Sequence, residues 1–188
     1  MNNIFFTADT HLGHANIIRY CNRPFGHVDE MDTAIVENWN AVVRPGDTVY
    51  HVGDFSFGDA GPYLRRLQGQ VVLVRGNHDH ARWLKFARFK AVHEILRVKG
   101  LHLAKLPIVL NHFSMRVWDK SHYGSWMLFG HSHGKLPNFR NSVDVGMDPN
   151  GFRPLALEEV AELIARTQDL VNFDEVPAGE LEEQGMKP

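Results

Sequence analysis

Three short apolar segments in the first half of the chain alternate with two segments of helical periodicity, and this alternation limits the fold more than any other feature. The apolar segments are rich in β-branched and aromatic residues and span residues 3–8, 48–52 and 70–74. Short runs of this kind are typical of buried strands. Between them, apolar residues recur at near-helical spacing in residues 29–43, with Asp29 as the predicted N-cap, and in residues 62–67. This strand–helix–strand–helix–strand order favours a parallel sheet with helices packed against it.

The second half of the chain contains several short apolar segments in quick succession. We predict short strands at residues 91–98, 101–105, 108–110, 126–129 and 142–145. Lys99 and Gly100 would form the hairpin turn between the first two of these strands. The apolar residues between about Leu157 and Leu170 fall on one face and predict an amphipathic helix.

The C-terminal segment differs in composition from the rest of the chain. From Asn172 onward it is acidic, contains glycine and proline, and has no periodicity. We therefore expect one domain over residues 1–172 and a flexible acidic tail over residues 173–188. A chain of 188 residues suits one such domain with a substantial core.

Charge and cysteine content exclude several classes of function. The net charge is -2, with acidic and basic residues mixed along the chain, so no extended nucleic-acid surface is indicated. A single cysteine, Cys21, cannot form an intrachain disulfide or a thiolate metal cluster. No apolar run approaches the roughly 20 residues that span a bilayer, and the N-terminus lacks the regions of a secretory signal. We expect a cytoplasmic protein without membrane attachment.

Side chains of the metal-binding type follow five of the predicted strands. The clusters are Asp9-Thr10-His11, Gly53-Asp54, Gly76-Asn77-His78-Asp79, Asn111-His112 and Gly130-His131-Ser132-His133. Ligands of open α/β sheets bind beyond the carboxyl ends of the strands, so these clusters are predicted to converge. Residues two apart, as in Asp9/His11 and His131/His133, would point to the same side if these segments are extended. Nitrogen and oxygen donors without sulfur favour Mn, Fe, Zn, Co or Ni over Ca, and disfavour a structural zinc site.

The five clusters resemble the signature of the calcineurin-like metallophosphoesterases and stand in the order of that family over roughly residues 4–146. Five blocks in order are far more specific than any one short motif. The resemblance implies an α/β fold, a four-layer α-β-β-α sandwich of the metallo-dependent phosphatase type. It also implies hydrolysis of a phosphomonoester or phosphodiester by a hydroxide that bridges two divalent metal ions.

The same resemblance assigns roles to individual residues. One ion would be held by Asp9, His11 and His133, the other by Asn77, His112 and His131, and Asp54 would bridge both. Independently of the resemblance, the leaving oxygen needs a proton or a positive partner, and His78, next to Asn77, is the predicted catalytic residue for this role. The expected substrate is a small phosphorylated molecule, with nucleotides among the candidates.

Other polar residues are weaker candidates for substrate binding or for support of the ligands. His14 is predicted either to contact substrate or to support a metal ligand. Arg116 is predicted to contact substrate from the long segment 113–125, which also carries Lys120. Weaker candidates for phosphate binding are Asn16, Arg19 and Arg23. Metal-binding imidazoles usually donate their second N–H to an acceptor, which makes Asp79 and His80 candidate supports, whereas His51, inside a strand, is predicted to be structural.

Two alternative functions remain open at the level of sequence. A nuclease or cyclic-nucleotide phosphodiesterase would use the same metal-ligand pattern. A non-catalytic scaffold is the alternative outside the enzymes, although the complete set of ligand residues argues against it.

Overall fold

The computed structural model describes residues 2–84 and 87–167, which form two β-sheets with helices. The strands are β1 (Ile4–Thr7), β2 (Thr48–His51), β3 (Gln70–Val74), β4 (Ala91–His93), β5 (Leu96–Val98), β6 (Ile108–Leu110), β7 (Trp126–Phe129), β8 (Ser142–Asp144) and β9 (Leu155–Ala156). The α-helices are α1 (Ala15–Tyr20), α2 (Val28–Val42), α3 (Gly61–Leu64), α4 (Ala81–Leu84) and α5 (Leu157–Arg166). Single-turn 3-10 helices span Ser121–Tyr123 and Asp148–Asn150.

The first sheet has the order β4-β3-β2-β1-β9. Strands β1 to β4 are parallel, and the two-residue strand β9 pairs antiparallel with β1. Helix α2 covers the outer face of this sheet because its apolar residues, Ile35 and Trp39 among them, fall on one side and pack against Val49 and Val71. The buried Trp39 indole donates a hydrogen bond to the carbonyl oxygen of Gln68 at 2.9 Å, which satisfies its polar group.

The second sheet has the order β5-β6-β7-β8 and packs face to face with the first. Its inner face contributes Leu110 and Leu128 to a core that includes Phe6 and Val74 of the first sheet. Helix α5 contacts β1, β8 and β9 and adds buried apolar side chains to this core. Segment 113–125, which contains a 3-10 turn, packs partly against the outer face of the second sheet. The predicted α/β sandwich with two facing sheets and helices is confirmed.

Several element boundaries differ from the sequence-based predictions. Asp29 is not the N-cap of α2; the N-cap is His27, whose Nδ1 accepts the N–H of Asp29 at 3.3 Å. Residues 91–98 are two strands in different sheets, because the chain passes from one sheet to the other at residues 94–95. Residues 101–105 are not a strand, so the hairpin turn predicted at Lys99 and Gly100 is wrong, and residues 99–107 join β5 to β6 as a longer loop.

The end of α5 is the last element that the structure describes. The helix ends at Arg166, four residues before the predicted Leu170, and Thr167 forms a turn. The predicted domain boundary near residue 172 and the predicted tail, residues 173–188, lie outside the described residues. Within residues 2–84 and 87–167, none of the helices has both the length and the apolar character needed to cross a bilayer.

Candidate metal centre

The loops after β1, β2, β3, β6 and β7 converge at the carboxyl ends of these strands. The side chains of Asp9, His11 and His133 have ligand atoms within 4.8 Å of one another, and so do those of Asp54, His112 and His131. The oxygen of the Asn77 side chain lies 3.1 Å from His112 Nε2. The structure thus brings together all seven residues predicted as metal ligands, in two adjacent groups.

The backbone at these loops is left-handed rather than extended. Five of the seven residues have φ between 49° and 65°, namely Asp9, His11, Asp54, His131 and His133. The expectation that Asp9/His11 and His131/His133 lie on extended segments is therefore wrong. This conformation costs an L-residue roughly 1–2 kcal/mol, and its concentration in one place is typical of functional sites. Hydrogen bonds from the N–H groups of Asp9 and His11 to the loop after β2, at 2.9 and 3.0 Å, help to hold it.

Asp54 occupies the centre of the cluster. Its Oδ2 lies 3.4 Å from His112 Nε2, 3.6 Å from His11 Nε2 and 4.0 Å from His78 Nε2. Its Oδ1 accepts the backbone N–H of His78 at 2.8 Å. Burial would raise the pKa of this carboxyl, but the hydrogen bond and charge of His112, with His11 adding to them, hold it well below its usual range. Asp54 is therefore a carboxylate shared by both groups of ligands.

The imidazole of His112 is fixed by its second nitrogen. Nδ1 lies 2.9 Å from the carbonyl oxygen of Val52, to which it donates, so Nε2 faces the oxygens of Asn77 and Asp54. Burial disfavours the protonated ring, yet the hydrogen bond and charge of Asp54 overcome this effect and raise the pKa of His112 to about 9. Because His112 Nδ1 already carries a hydrogen, Nε2 can face the oxygens of Asn77 and Asp54 favourably only if it binds a positively charged species. Either a proton or a metal cation can supply that charge.

His133 is fixed in the same way by an acidic residue that sequence reasoning missed. Its Nδ1 lies 2.7 Å from Asp148 Oδ2, which leaves Nε2 for the site. Arg23 binds both oxygens of Asp148 at 2.9 Å and donates to the carbonyl oxygens of Asp9 and Thr10 at 2.6 and 3.0 Å. Arg23 is therefore a buried support of the site and not the phosphate-binding residue suggested by its position in the sequence.

The donor atoms fit divalent cations. His11 Nε2 is buried and has no hydrogen-bond partner among the described residues, while burial lowers the pKa of His11 to about 2 and so keeps its lone pair free. Burial raises the pKa of Asp9 to about 7, and a bound cation would favour its ionised form. Imidazole nitrogens with carboxylate and amide oxygens suit transition metals such as Mn, Fe, Zn, Co and Ni.

Two glycines allow the loops to approach the site this closely. A Cβ at Gly76 would lie 2.2 Å from Asp54 Oδ1, and one at Gly53, where φ is +94°, would lie 2.3 Å from His112 Nδ1. A side chain at either position would displace a candidate ligand.

Asp79 connects the loops that follow β2 and β3. Its carboxylate accepts the backbone N–H groups of Asp54, Phe55 and Gly76 at 2.8–3.0 Å. Asp79 thus supports backbone and not an imidazole, contrary to the prediction.

The residues predicted to contact substrate lie at different places around the cluster. The His78 side chain is 37% exposed, and its ring centroid is 5.3 Å from that of His11. His14 is buried beside them, with Nδ1 3.5 Å from His11 Nδ1.

Two further residues lie outside the cluster. Arg116 lines a separate cavity of about 310 Å³ together with Leu136, at the outer face of the second sheet. His51 is buried with Nε2 2.9 Å from Thr10 Oγ1, in agreement with a structural role.

The remaining weaker candidates lie at the surface. His80 and Lys120 are exposed, and so are Asn16 and Arg19. The guanidinium of Arg19 lies 5.6 Å from the centroid of the Tyr20 ring. None of these four residues is among the groups of side chains that could hold a metal within the described part of the chain.

Comparison with known proteins places this fold and site in a family of phosphoesterases. The sequence model of the calcineurin-like phosphoesterase superfamily domain matches residues 3–143, and the chain belongs to this superfamily. An uncharacterized protein of Methanocaldococcus jannaschii is 34% identical over 178 residues, covering 88% of this chain and 93% of its own. The gene 66 protein of Mycobacterium phage L5 is 28% identical, covering 87% of this chain and 95% of its own.

A solved structure supports the fold independently of these sequence relatives. The protein of unknown function AQ665 from Aquifex aeolicus superposes with a TM-score of 0.67 at 23% identity. The match covers 87% of this chain and 100% of the other. At this level of identity the likeness is one of fold alone.

Replacing Asp148 by Asn should weaken metal binding selectively. The amide keeps the shape of the carboxylate but removes the charge that orients His133, and loss of such a support typically costs about 10–100-fold in affinity. Calorimetric titration of metal-free protein with Mn²⁺ measures the change. The matched control is Asp119→Asn, which removes an exposed carboxylate that pairs with Arg97. Equal affinities for Asp148→Asn and wild type would show that Asp148 does not support a metal ligand.

Proposed function

We propose that this protein hydrolyses the phosphate ester of a small molecule, a monoester or a diester, with two divalent cations bound side by side. Asp9, His11 and His133 would hold one cation, and Asn77, His112 and His131 the other. The observation that carries this proposal is the position of Asp54 Oδ2 within 3.4–3.6 Å of an imidazole nitrogen from each group. A carboxylate in that place can bridge two cations. The candidate metals are Mn, Fe, Zn, Co and Ni.

The chain supplies the arrangement and the compensating charge. When bound, two such cations would neutralise the phosphoryl oxygens and lower the pKa of the attacking water. Asp54 and Asp9 provide buried negative charge that offsets the cations. Arg23 and Asp148 keep the ring of His133 in place, and the Val52 carbonyl does the same for His112. The side chains are thus oriented before substrate arrives, which is the condition for electrostatic catalysis.

His78 is the candidate for the proton-transfer role. Its backbone N–H is bound to Asp54 Oδ1 at 2.8 Å, which fixes the residue at the edge of the cluster. Its imidazole is partly exposed and lies 4.0 Å from Asp54 Oδ2. A ring in this position can reach the leaving oxygen of a phosphate ester from the solvent side. His78 would then protonate or stabilise that oxygen as the P–O bond breaks.

A small substrate agrees better with the charge of the chain than a polynucleotide does. The net charge of -2 gives no excess of cations for binding an extended phosphate backbone, which argues against a nuclease with a long binding track. A cyclic-nucleotide phosphodiesterase remains compatible with the site. A scaffold without catalysis would not need seven converging ligand side chains with left-handed backbone at five of them.

Asp54→Asn should nearly abolish turnover while the fold survives. The substitution removes the central negative charge, so both cations are held less tightly and repel each other with less compensation. Activity at saturating Mn²⁺ and the thermal midpoint, measured together, separate loss of chemistry from loss of fold. Asp59→Asn is the matched control, since Asp59 caps the N–H of Gly61 outside the ligand groups. Retention of half the activity in Asp54→Asn would exclude the bridging role.

His78→Ala should retain both metal ions and lose activity according to the leaving group. An alkoxide needs a proton to leave, whereas a nitrophenolate does not. We expect losses of about 10²–10⁴-fold in kcat/KM for alkyl or nucleoside esters and small losses for nitrophenyl esters. The measurement is kcat/KM for wild type and variant over a series of leaving groups. A uniform loss across the series would exclude a general acid and indicate that His78 stabilises the phosphoryl group instead.

A further inference from the structure

Three aromatic rings form a row beside the candidate metal centre, and we name this row the aromatic platform: Tyr20, His14 and Phe57. The rings of His14 and Phe57 are stacked, with centroids 4.6 Å apart and planes 15° apart. The ring of Tyr20 meets His14 edge to face at 6.4 Å. His14 is 8% exposed, whereas Phe57 is 60% exposed and Tyr20 is 58% exposed.

The backbone that carries the platform is held in place, although the rings of Phe57 and Tyr20 are more than half exposed. The N–H of Phe57 donates to the carbonyl oxygen of Leu12 at 2.8 Å, and the N–H of His14 donates to the carbonyl oxygen of His11 at 3.0 Å. Ser56 and Leu12 form an isolated parallel β-bridge between the same two loops. Phe57, on the loop that follows Asp54, thus has a fixed backbone, and its ring stacks on that of His14 beside the site.

Exposed aromatic side chains need an explanation when they cluster at a polar site. A single exposed ring is ordinary, but grouped apolar surface beside a cleft is typical of ligand binding. One face of Phe57 is covered by His14, and Arg19 lies over the ring of Tyr20. The face of Phe57 opposite His14 is therefore part of the open surface of the platform. A flat ring of a ligand can stack there.

The position of the platform indicates how far that ring lies from the scissile bond. The centroid of His14 is 5.8 Å from that of His78, the candidate partner of the leaving oxygen, and the centroid of Phe57 is 4.6 Å from that of His14. His14 is buried and stacked against Phe57, so a ligand ring would use Phe57. The Phe57 centroid lies no more than about 10 Å from that of His78, a distance that a sugar-sized spacer can span.

We propose that the aromatic platform binds the planar heterocycle of a nucleotide-like substrate, whose phosphate lies at the candidate metal centre and whose spacer passes His78. The proposal rests on the proposed phosphoesterase function and specifies its substrate class. Stacking of a base on an aromatic side chain is worth about 1–3 kcal/mol, so removal of the Phe57 ring should lower kcat/KM about 5–150-fold.

The test compares esters that differ only in the ring. Mn²⁺-loaded wild type, Phe57→Ala and Phe57→Trp are assayed with adenosine 5′-monophosphate and ribose 5-phosphate, and with the methyl diester of each. We expect wild type to prefer the adenosine compounds at least about fivefold, Phe57→Ala to lose this preference, and Phe57→Trp to keep it. Tyr123→Ala is the matched control, because Tyr123 is 70% exposed and lies near Trp126, at the start of β7, away from the carboxyl ends of the strands.

Equal loss of activity on ring-bearing and ring-free esters in Phe57→Ala, or no loss on either, would overturn the proposal.

Binding provides a readout that does not depend on turnover. Saturation-transfer NMR with adenosine 5′-monophosphate and ribose 5-phosphate should show a Phe57-dependent preference for the former in the metal-loaded protein. If wild type hydrolyses none of the esters but shows this preference, the platform stands and the phosphoesterase proposal falls. If wild type hydrolyses the esters but shows no preference for the ring-bearing ones, the phosphoesterase proposal stands and the platform proposal falls.

Discussion

The Asp54 carboxylate is the group around which the loops of this protein are arranged. Its Oδ2 lies near the imidazole nitrogens of His11, His112 and His78, which come from three loops, and its Oδ1 accepts the backbone N–H of His78. A buried carboxylate is costly unless it is paired with positive charge or hydrogen-bond donors. Gly76 leaves room for it, and Asp79 holds its backbone and that of the following residue. Displacing Asp54 would disturb both groups of candidate ligands at once.

A second buried network holds the opposite side of the site. Arg23 connects the carbonyl groups of Asp9 and Thr10 to Asp148, and Asp148 holds His133. Burial alone would raise the pKa of Asp148, but hydrogen bonds from His133 and Arg23 lower it to about 2. This chain of contacts fixes two candidate ligands on different loops relative to each other. Such support is what keeps the side chains of a metal site in one geometry.

The convergence of the seven candidate ligands could be predicted from sequence, because each follows a strand and the carboxyl ends of parallel strands meet at one edge. The supports could not be found in the same way. Arg23 and Asp148 are 125 residues apart, so their pairing depends on the tertiary fold and leaves no local signal. The left-handed backbone at Asp9 and His11 was also missed, because residue spacing alone does not show φ. Residues 91–98 form one apolar segment in sequence, although they belong to two sheets.

Titration of the metal-free protein with Mn²⁺, followed by electron paramagnetic resonance, tests most directly whether two cations bind side by side at this centre. Two ions that share the Asp54 carboxylate would be magnetically coupled. We therefore expect saturation at two ions per chain, with the spectrum of isolated Mn²⁺ replaced by that of a coupled pair. Saturation at one ion, or two ions with uncoupled spectra, would contradict a dinuclear centre bridged by Asp54.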